Sequence, residues 1–237
     1  MVMPLGDDDS LRKSTPVVTY ALIAINAVVW FIQLSAGEPF TNGWATVPYE
    51  ITHGVDLNGV FDVTAGGQVF PIHLYDSPAP IYVTLLSAMF MHGSWLHILG
   101  NMLYLWIFGD NVEDLLGRGK YLVFYLVCGI AASLAQVFYS PDGHIPSLGA
   151  SGAIAGVLGA YAIKFPRNKV RVLMMRMVTQ MPAIVVLGLW ILLQVFSQVG
   201  TPAGEASGVA YMAHIGGFVA GLVLVMVMGR RRERTMA

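Results

Sequence analysis

Residues 17–36 read VVTYALIAINAVVWFIQLSA, with no Asp, Glu, Lys, Arg or His among them. A helix rises about 1.5 Å per residue, so this run spans roughly 30 Å, the thickness of a bilayer's hydrocarbon core. The rest of the chain has the same character. Of its 237 residues, 56% are hydrophobic and 11% charged, and the mean hydropathy is +0.65. A soluble domain carries about 25% charged residues. The composition therefore excludes a soluble globular protein and a disordered one, and leaves a polytopic membrane protein.

The flank before residue 17 is polar (Asp7, Asp8, Asp9, Arg12, Lys13), and no small-residue cleavage site follows the run, so it reads as a retained first span rather than a signal peptide. Residues 37–80 mix Gly, Pro, Asn, Asp and Thr and read as a long loop. The apolar stretch from Ile81 to Phe108 is too long for one simple span, and His92, Gly93, Ser94 and His97 interrupt it. It divides into an interfacial segment at about 81–93 and a second span at about 95–113. Further spans are expected at about 119–139, 150–165, 180–199 and 208–228. The expected fold is all-α, a six-helix membrane bundle over 17–228 with a long outer loop at 37–94. A tail at 1–16 precedes it and a basic tail at 229–237 follows.

The basic residues give an orientation. Arg12 and Lys13 precede span one, and Arg118 and Lys120 lie between spans two and three. Lys164, Arg167, Lys169, Arg171 and Arg176 surround the join of spans four and five, and Arg230, Arg231, Arg232 and Arg234 follow span six. These are all 13 Lys and Arg of the chain, and the loops at 37–94, 140–149 and 200–207 hold none. The positive-inside rule then predicts both termini in the cytoplasm. Cys128 is the only cysteine, which excludes an intrachain disulfide.

Polar side chains inside spans are costly, so each is a functional candidate. Gly149-Ala150-Ser151-Gly152 opens span four. Gly152 and Gly156 form a small-xxx-small pair suited to close helix packing. The alternative is a serine nucleophile at a helix N-terminus, where free N–H groups and the dipole favour an anion. With the basic end of this short span at the cytoplasmic face, Ser151 lies below the outer surface, and the loop before it must dip inward. His214 is six residues into span six, roughly 9 Å deep, a depth like that of Ser151. Gly217 and Gly221 would let spans four and six approach. A Ser–His hydrogen bond needs roughly 2.6–3.2 Å.

His97 and Asn101, four apart, share a face of span two. They suit either interhelical hydrogen bonding or an oxyanion hole with Ser151. His92 would point elsewhere on a continuous helix and is a candidate for supporting the site or anchoring the loop, as Gly149 and Gly152 are for supporting the serine. Four histidines near the outer face (His92, His97, His144, His214) invite a metal, but no acidic residue shares a span with them and there is no His-Glu-x-x-His run. No metal is expected. All 14 acidic residues fall in tails, loops or helix ends, which favours a Ser–His dyad over a triad.

These motifs together resemble the rhomboid intramembrane serine proteases, over about residues 92–228. His92 to Asn101 (HGSWLHILGN) resembles the family's His-x4-His-x3-Asn stretch, Gly149 to Gly152 its nucleophile motif, and Ala213-His214-Ile215-Gly216-Gly217 with Gly221 its Ala-His-x-x-Gly-x-x-x-Gly motif. Glu113 and Gly117 resemble the Glu-x-x-x-Gly end of the second helix. The resemblance implies Ser151 as nucleophile, His214 as general base, and His97, Asn101 and the Ser151 N–H as oxyanion donors. It implies cleavage of transmembrane protein substrates near the outer face, within the lipid bilayer. No cofactor and no nucleic acid are implied, and the expected location is a bacterial inner membrane.

Two departures stand out. Some members place a Tyr four residues after the serine, against the histidine, where this chain has Ala155; the ring of His214 must then be held by another residue. The Trp-Arg pair that some members carry in the first loop is also missing. Two other classes remain open: a catalytically inactive rhomboid-like protein that binds membrane clients, and a small-solute transporter.

Overall fold

The computed structural model describes all residues except 1, 9, 11, 66, 78–79, 201–208 and 230–237. The chain is mostly helical. Helix α1 runs Val17–Gly43, α2 Pro48–His53, α3 Thr84–Ser87, α4 Trp95–Leu116, α5 Arg118–Tyr139, α6 Ser151–Lys164, α7 Ala183–Val199 and α8 Tyr211–Met228. Three of these, α1, α5 and α8, are long and apolar enough to cross a membrane. The segment Ile81–Phe90, which contains α3, meets α4 at a bend of 77°, and the pair gives a fourth candidate. Helices α6 and α7 are apolar but shorter, at 14 and 17 residues. Among the described residues, up to four candidates are thus found by length and composition, rather than six.

Two small antiparallel sheets correct the all-α expectation. Strands β2 (Gly59–Ala65) and β3 (Gln68–Leu74) form a hairpin inside the region read as a loop, with Val60 opposite His73 and Val63 opposite Phe70. The second sheet has the order β1-β4-β5, from Val2–Gly6, Lys169–Met174 and Met177–Pro182. Residues 2–6 are therefore not a free tail: Met3 pairs with Leu173 and Pro4 with Val172. The start of the predicted fifth span, 180–182, belongs to β5, and α7 begins at Ala183. The predicted first span likewise runs on to Gly43, across a break at Gly37 (φ 76°) just before Pro39. The loop at 200–207, except for Gly200, and the tail at 229–237, except for Gly229, lie outside the described residues.

Each end of the bundle is tied by polar contacts. A helix leaves its first N–H groups unsatisfied. Those of Val18 and Thr19 at the start of α1 donate to the Glu113 carboxylate of α4 at 3.0 and 2.7 Å, and the Thr19 hydroxyl adds a third bond at 2.8 Å. This explains a carboxylate that is 1% exposed. Arg12 pairs with Asp110 at 2.9 Å nearby. At the other end, Gln33 of α1 brackets the backbone of His92, accepting from its N–H and donating to its carbonyl, both at 3.0 Å. Thr46 exchanges both backbone bonds with Ser147 and donates its hydroxyl to the Thr84 carbonyl. Without an arginine, the long connection is thus anchored by Gln33 and Thr46.

The core is built by glycines. Helix α6 is buried from Gly152 to Ala162 between α4, α5 and α8. A Cβ at Gly217 would collide with the Gly152 carbonyl, and one at Gly221 with the Gly156 carbonyl. Only glycines on α8 permit backbones this close, as small-xxx-small packing requires.

Candidate active site

Ser151 is the first residue of α6, where its own N–H has no partner within the helix. Its Oγ lies 2.7 Å from Nε2 of His214, which sits on the first turn of α8. The α6–α8 contact therefore brings together the two residues expected from sequence. Gly152 and Gly156 line the same contact, and a Cβ at either would also press on α5, against Ala132 or Cys128.

His97 and Asn101 come from α4. Ser94 caps that helix, its hydroxyl accepting the His97 N–H at 3.1 Å. Gly149 leaves room for the His97 ring beside the serine. Its φ of +125° is one that side-chain-bearing residues rarely adopt, and a Cβ there would fall 2.6 Å from His97 Nε2 and 3.6 Å from Ser151 Oγ. The loop is held in place by the Gly149 N–H, which donates to the Ala88 carbonyl at 2.8 Å. Asn101 is buried, and its side-chain Nδ2 has no hydrogen-bond partner among the described residues. A buried amide donor without a partner is costly unless something else accepts from it. A small cavity lies beside Ser151, lined among others by Ala132, Gly149, Gly152, Ala210 and Ala213.

His92 is 1% exposed, and its ring meets that of His97 edge to face at 5.1 Å. Its backbone anchors the loop, as described above. His144 stands apart, stacked between Tyr49 and Phe61. Among the described residues no group of three His, Cys, Asp or Glu is arranged to hold a metal.

The position left open by Ala155 is served from the fifth expected span, by two side chains that the sequence alone did not single out. His214 Nδ1 lies 2.7 Å from Gln194 Oε1, and the Trp190 ring lies 5.7 Å from the imidazole at 35°. Both belong to α7, one turn apart. The signal was present: Gln194 is an amide within an apolar span, and intramembrane polar residues are candidates by default.

The comparisons with known proteins give the family. A model of the Rhomboid domain matches residues 80–231, more than half of the chain. The chain is 32% identical to the Rhomboid protease GluP of Bacillus subtilis over 219 residues, 92% of this chain and 36% of that protein. It is 31% identical over 163 residues to Rhomboid protein 1, mitochondrial, of Saccharomyces cerevisiae, covering 64% of this chain and 43% of the relative. It is 30% identical over 222 residues to Rhomboid-like protein 11, chloroplastic, of Arabidopsis thaliana, covering 89% and 68%. The chain thus spans less than half the length of the first two. The family match encloses the His97, Ser151 and His214 segments that the packing of α4, α6 and α8 draws together, and the chain belongs to the rhomboid family.

Proposed function

We propose that this membrane protein is an intramembrane serine endopeptidase that cuts transmembrane proteins near the outer membrane face. The observation that carries the reading is the 2.7 Å contact between Ser151 Oγ and His214 Nε2. Ser151 Oγ attacks the scissile carbonyl as its proton passes to His214 Nε2. The carbonyl oxygen, now negative, accepts from the Ser151 N–H, His97 and Asn101. His214 then gives its proton to the leaving amine, and an acyl ester remains on Ser151. Water attacks that ester, again with His214 as base, and restores the serine. The dyad works without a metal or cofactor in this scheme. The small side chains around the neighbouring cavity (Ala132, Gly152, Ala213) favour a small residue before the scissile bond.

The proposed topology has six spans, with α6 and α7 as the two short ones, and both termini in the cytoplasm. The one-sided placement of all 13 Lys and Arg supports it. The relatives carry mitochondrial, chloroplastic and bacterial names, and a bacterial inner membrane is the placement we propose. The test is cleavage of a transmembrane reporter by the purified protein in liposomes. The wild type should cut and Ser151→Ala should not. Client binding without cleavage would indicate an inactive family member, and solute flux indifferent to Ser151→Ala would indicate a transporter.

A further inference from the structure

For Ser151 to hand its proton to His214, Nε2 of the ring must be unprotonated. A neutral imidazole then carries its hydrogen on Nδ1. That nitrogen lies 2.7 Å from Oε1 of Gln194, and the amide oxygen can only accept. The bond therefore selects the tautomer that leaves Nε2 free for the serine. Trp190, four residues earlier on the same face of α7, sets the ring from the side and itself meets Phe218 of α8 at 6.4 Å. With Ala155 at the position one turn after Ser151, α6 brings no aromatic ring to this imidazole there.

We propose that Gln194 is the positioning residue of His214: its side-chain oxygen holds the ring in the Nδ1–H tautomer and in the orientation that meets Ser151. This rests on the reading of Ser151 and His214 as nucleophile and base. A carboxylate at the same place would stabilise the imidazolium more strongly, but a charge inside a span is costly. The neutral amide orients the ring and meets the developing positive charge with a dipole alone. Because Gln194 stands on α7, the orientation of the base depends on the position of that helix, whereas Ser151 depends on α6.

Two measurements on the full-length protein in micelles test this. The first is 15N NMR of labelled histidine rings, which reads the tautomer without any substrate. The second is the pH profile of kcat and KM on a transmembrane reporter. In the wild type, His214 should be a single Nδ1–H tautomer. Gln194→Leu keeps the bulk and removes the acceptor. It should give a tautomer mixture and lower kcat roughly 10- to 100-fold, the worth of a hydrogen bond to a group that becomes charged, with KM little changed. Gln194→Glu restores an acceptor and should keep the single tautomer. It should also move the acidic limb of the profile to higher pH, since a carboxylate favours the protonated imidazole. His97 of α4, which lies beside Gly149 on the Ser151 side of the site, is unchanged in every variant.

An unaltered tautomer and rate in Gln194→Leu, with an unmoved limb in Gln194→Glu, would overturn the proposal. A Gln194-dependent tautomer in a protein that cuts nothing would instead support the positioning role while removing the protease reading. Ser151-dependent cleavage with a tautomer indifferent to Gln194 would do the reverse.

Discussion

Helices α6 and α7 both reach the candidate dyad, and they are held in opposite ways. Every residue of α6 from Gly152 to Ala162 is buried, and glycines on α8 fit against its backbone. Helix α7 buries only Ala183, Val186 and Leu187, all in its first turns. Its later part is open, with Leu193 63% and Phe196 70% exposed. Trp190 and Gln194 join this open part to His214. Ser151 thus stands at the head of a tightly packed helix, while the side chains that meet His214 stand on a helix whose later part is little buried. Low packing density marks the segments that open most readily.

The largest effect should come from spoiling the packed side. A Cβ at Gly221 would collide with the Gly156 carbonyl, and no flexible side chain is there to give way. Overpacking usually costs about 1–3 kcal/mol, and backbone against backbone belongs at or above the top of that range. Gly221→Val should therefore lower thermal stability sharply and abolish cleavage, read by a thermal shift in micelles together with reporter activity. Wild-type stability would break the contrast between the two helices.

The next effect lies on α4. Asn101 is buried with a free Nδ2 donor, and the loss of one oxyanion donor typically costs about 10²–10³ in kcat. Asn101→Ala should show that loss with little change in KM, and Ser151 should still react slowly with a small fluorophosphonate. A wild-type kcat in a folded variant would make His97 and Asn101 interhelical hydrogen-bonding residues only.

On α7 the effects should be smaller and should divide by face. Trp190→Ala should lower kcat by roughly the factor expected for Gln194→Leu or less, since the ring contact restrains the imidazole from the side only. Phe196→Ala should leave stability within about 0.5 kcal/mol, as exposed substitutions usually do. Equal effects at Trp190 and Phe196 would show that α7 acts as a unit rather than through one face.

The smallest effect serves as a reference far from both helices. Glu50 of α2 is 1% exposed, and its carboxyl is raised above the ordinary value of 4.5, chiefly by burial, although the Leu57 N–H and the Ser77 hydroxyl donate to it. A raised carboxyl means that the folded loop binds this proton more tightly than the unfolded chain does. Its contribution is therefore fullest below about pH 4.5, and it is lost as pH rises through the window up to the raised value. Amide protection factors across residues 50–77, which remove the intrinsic rise of exchange with pH, should fall over that window in the wild type and not in Glu50→Gln.

Much of this was legible in the sequence, and the failures share a cause. The ends of α4, α5, α6 and α8 fall within a few residues of the expected spans, because hydropathy along one segment is a local signal. The pairing of Ser151 with His214 was legible through Gly152, Gly156, Gly217 and Gly221, since small residues at a spacing of four announce close approach. The hairpin of β2 and β3 was missed although Val60, Asp62 and Thr64 alternate with Phe61 and Val63, and Gly66-Gly67 offers a turn. The pairing of Met3 with Leu173 joins segments about 170 residues apart, and nothing local in either one names the other. Glu113 was placed correctly at a helix end, but its role depends on the bare N–H groups of Val18 and Thr19, which are visible only once α1 and α4 meet.

If Ser151 and His214 are nucleophile and base, they act as one unit. Residues that do so are strongly non-additive. The most direct measurement is the rate of reporter cleavage by the wild type, Ser151→Ala, His214→Ala and the double variant in one liposome assay. Each single variant should nearly abolish cleavage, and the double variant should be little worse than either. Losses that multiply in the double variant, or a single variant that cuts at the wild-type rate, would contradict it.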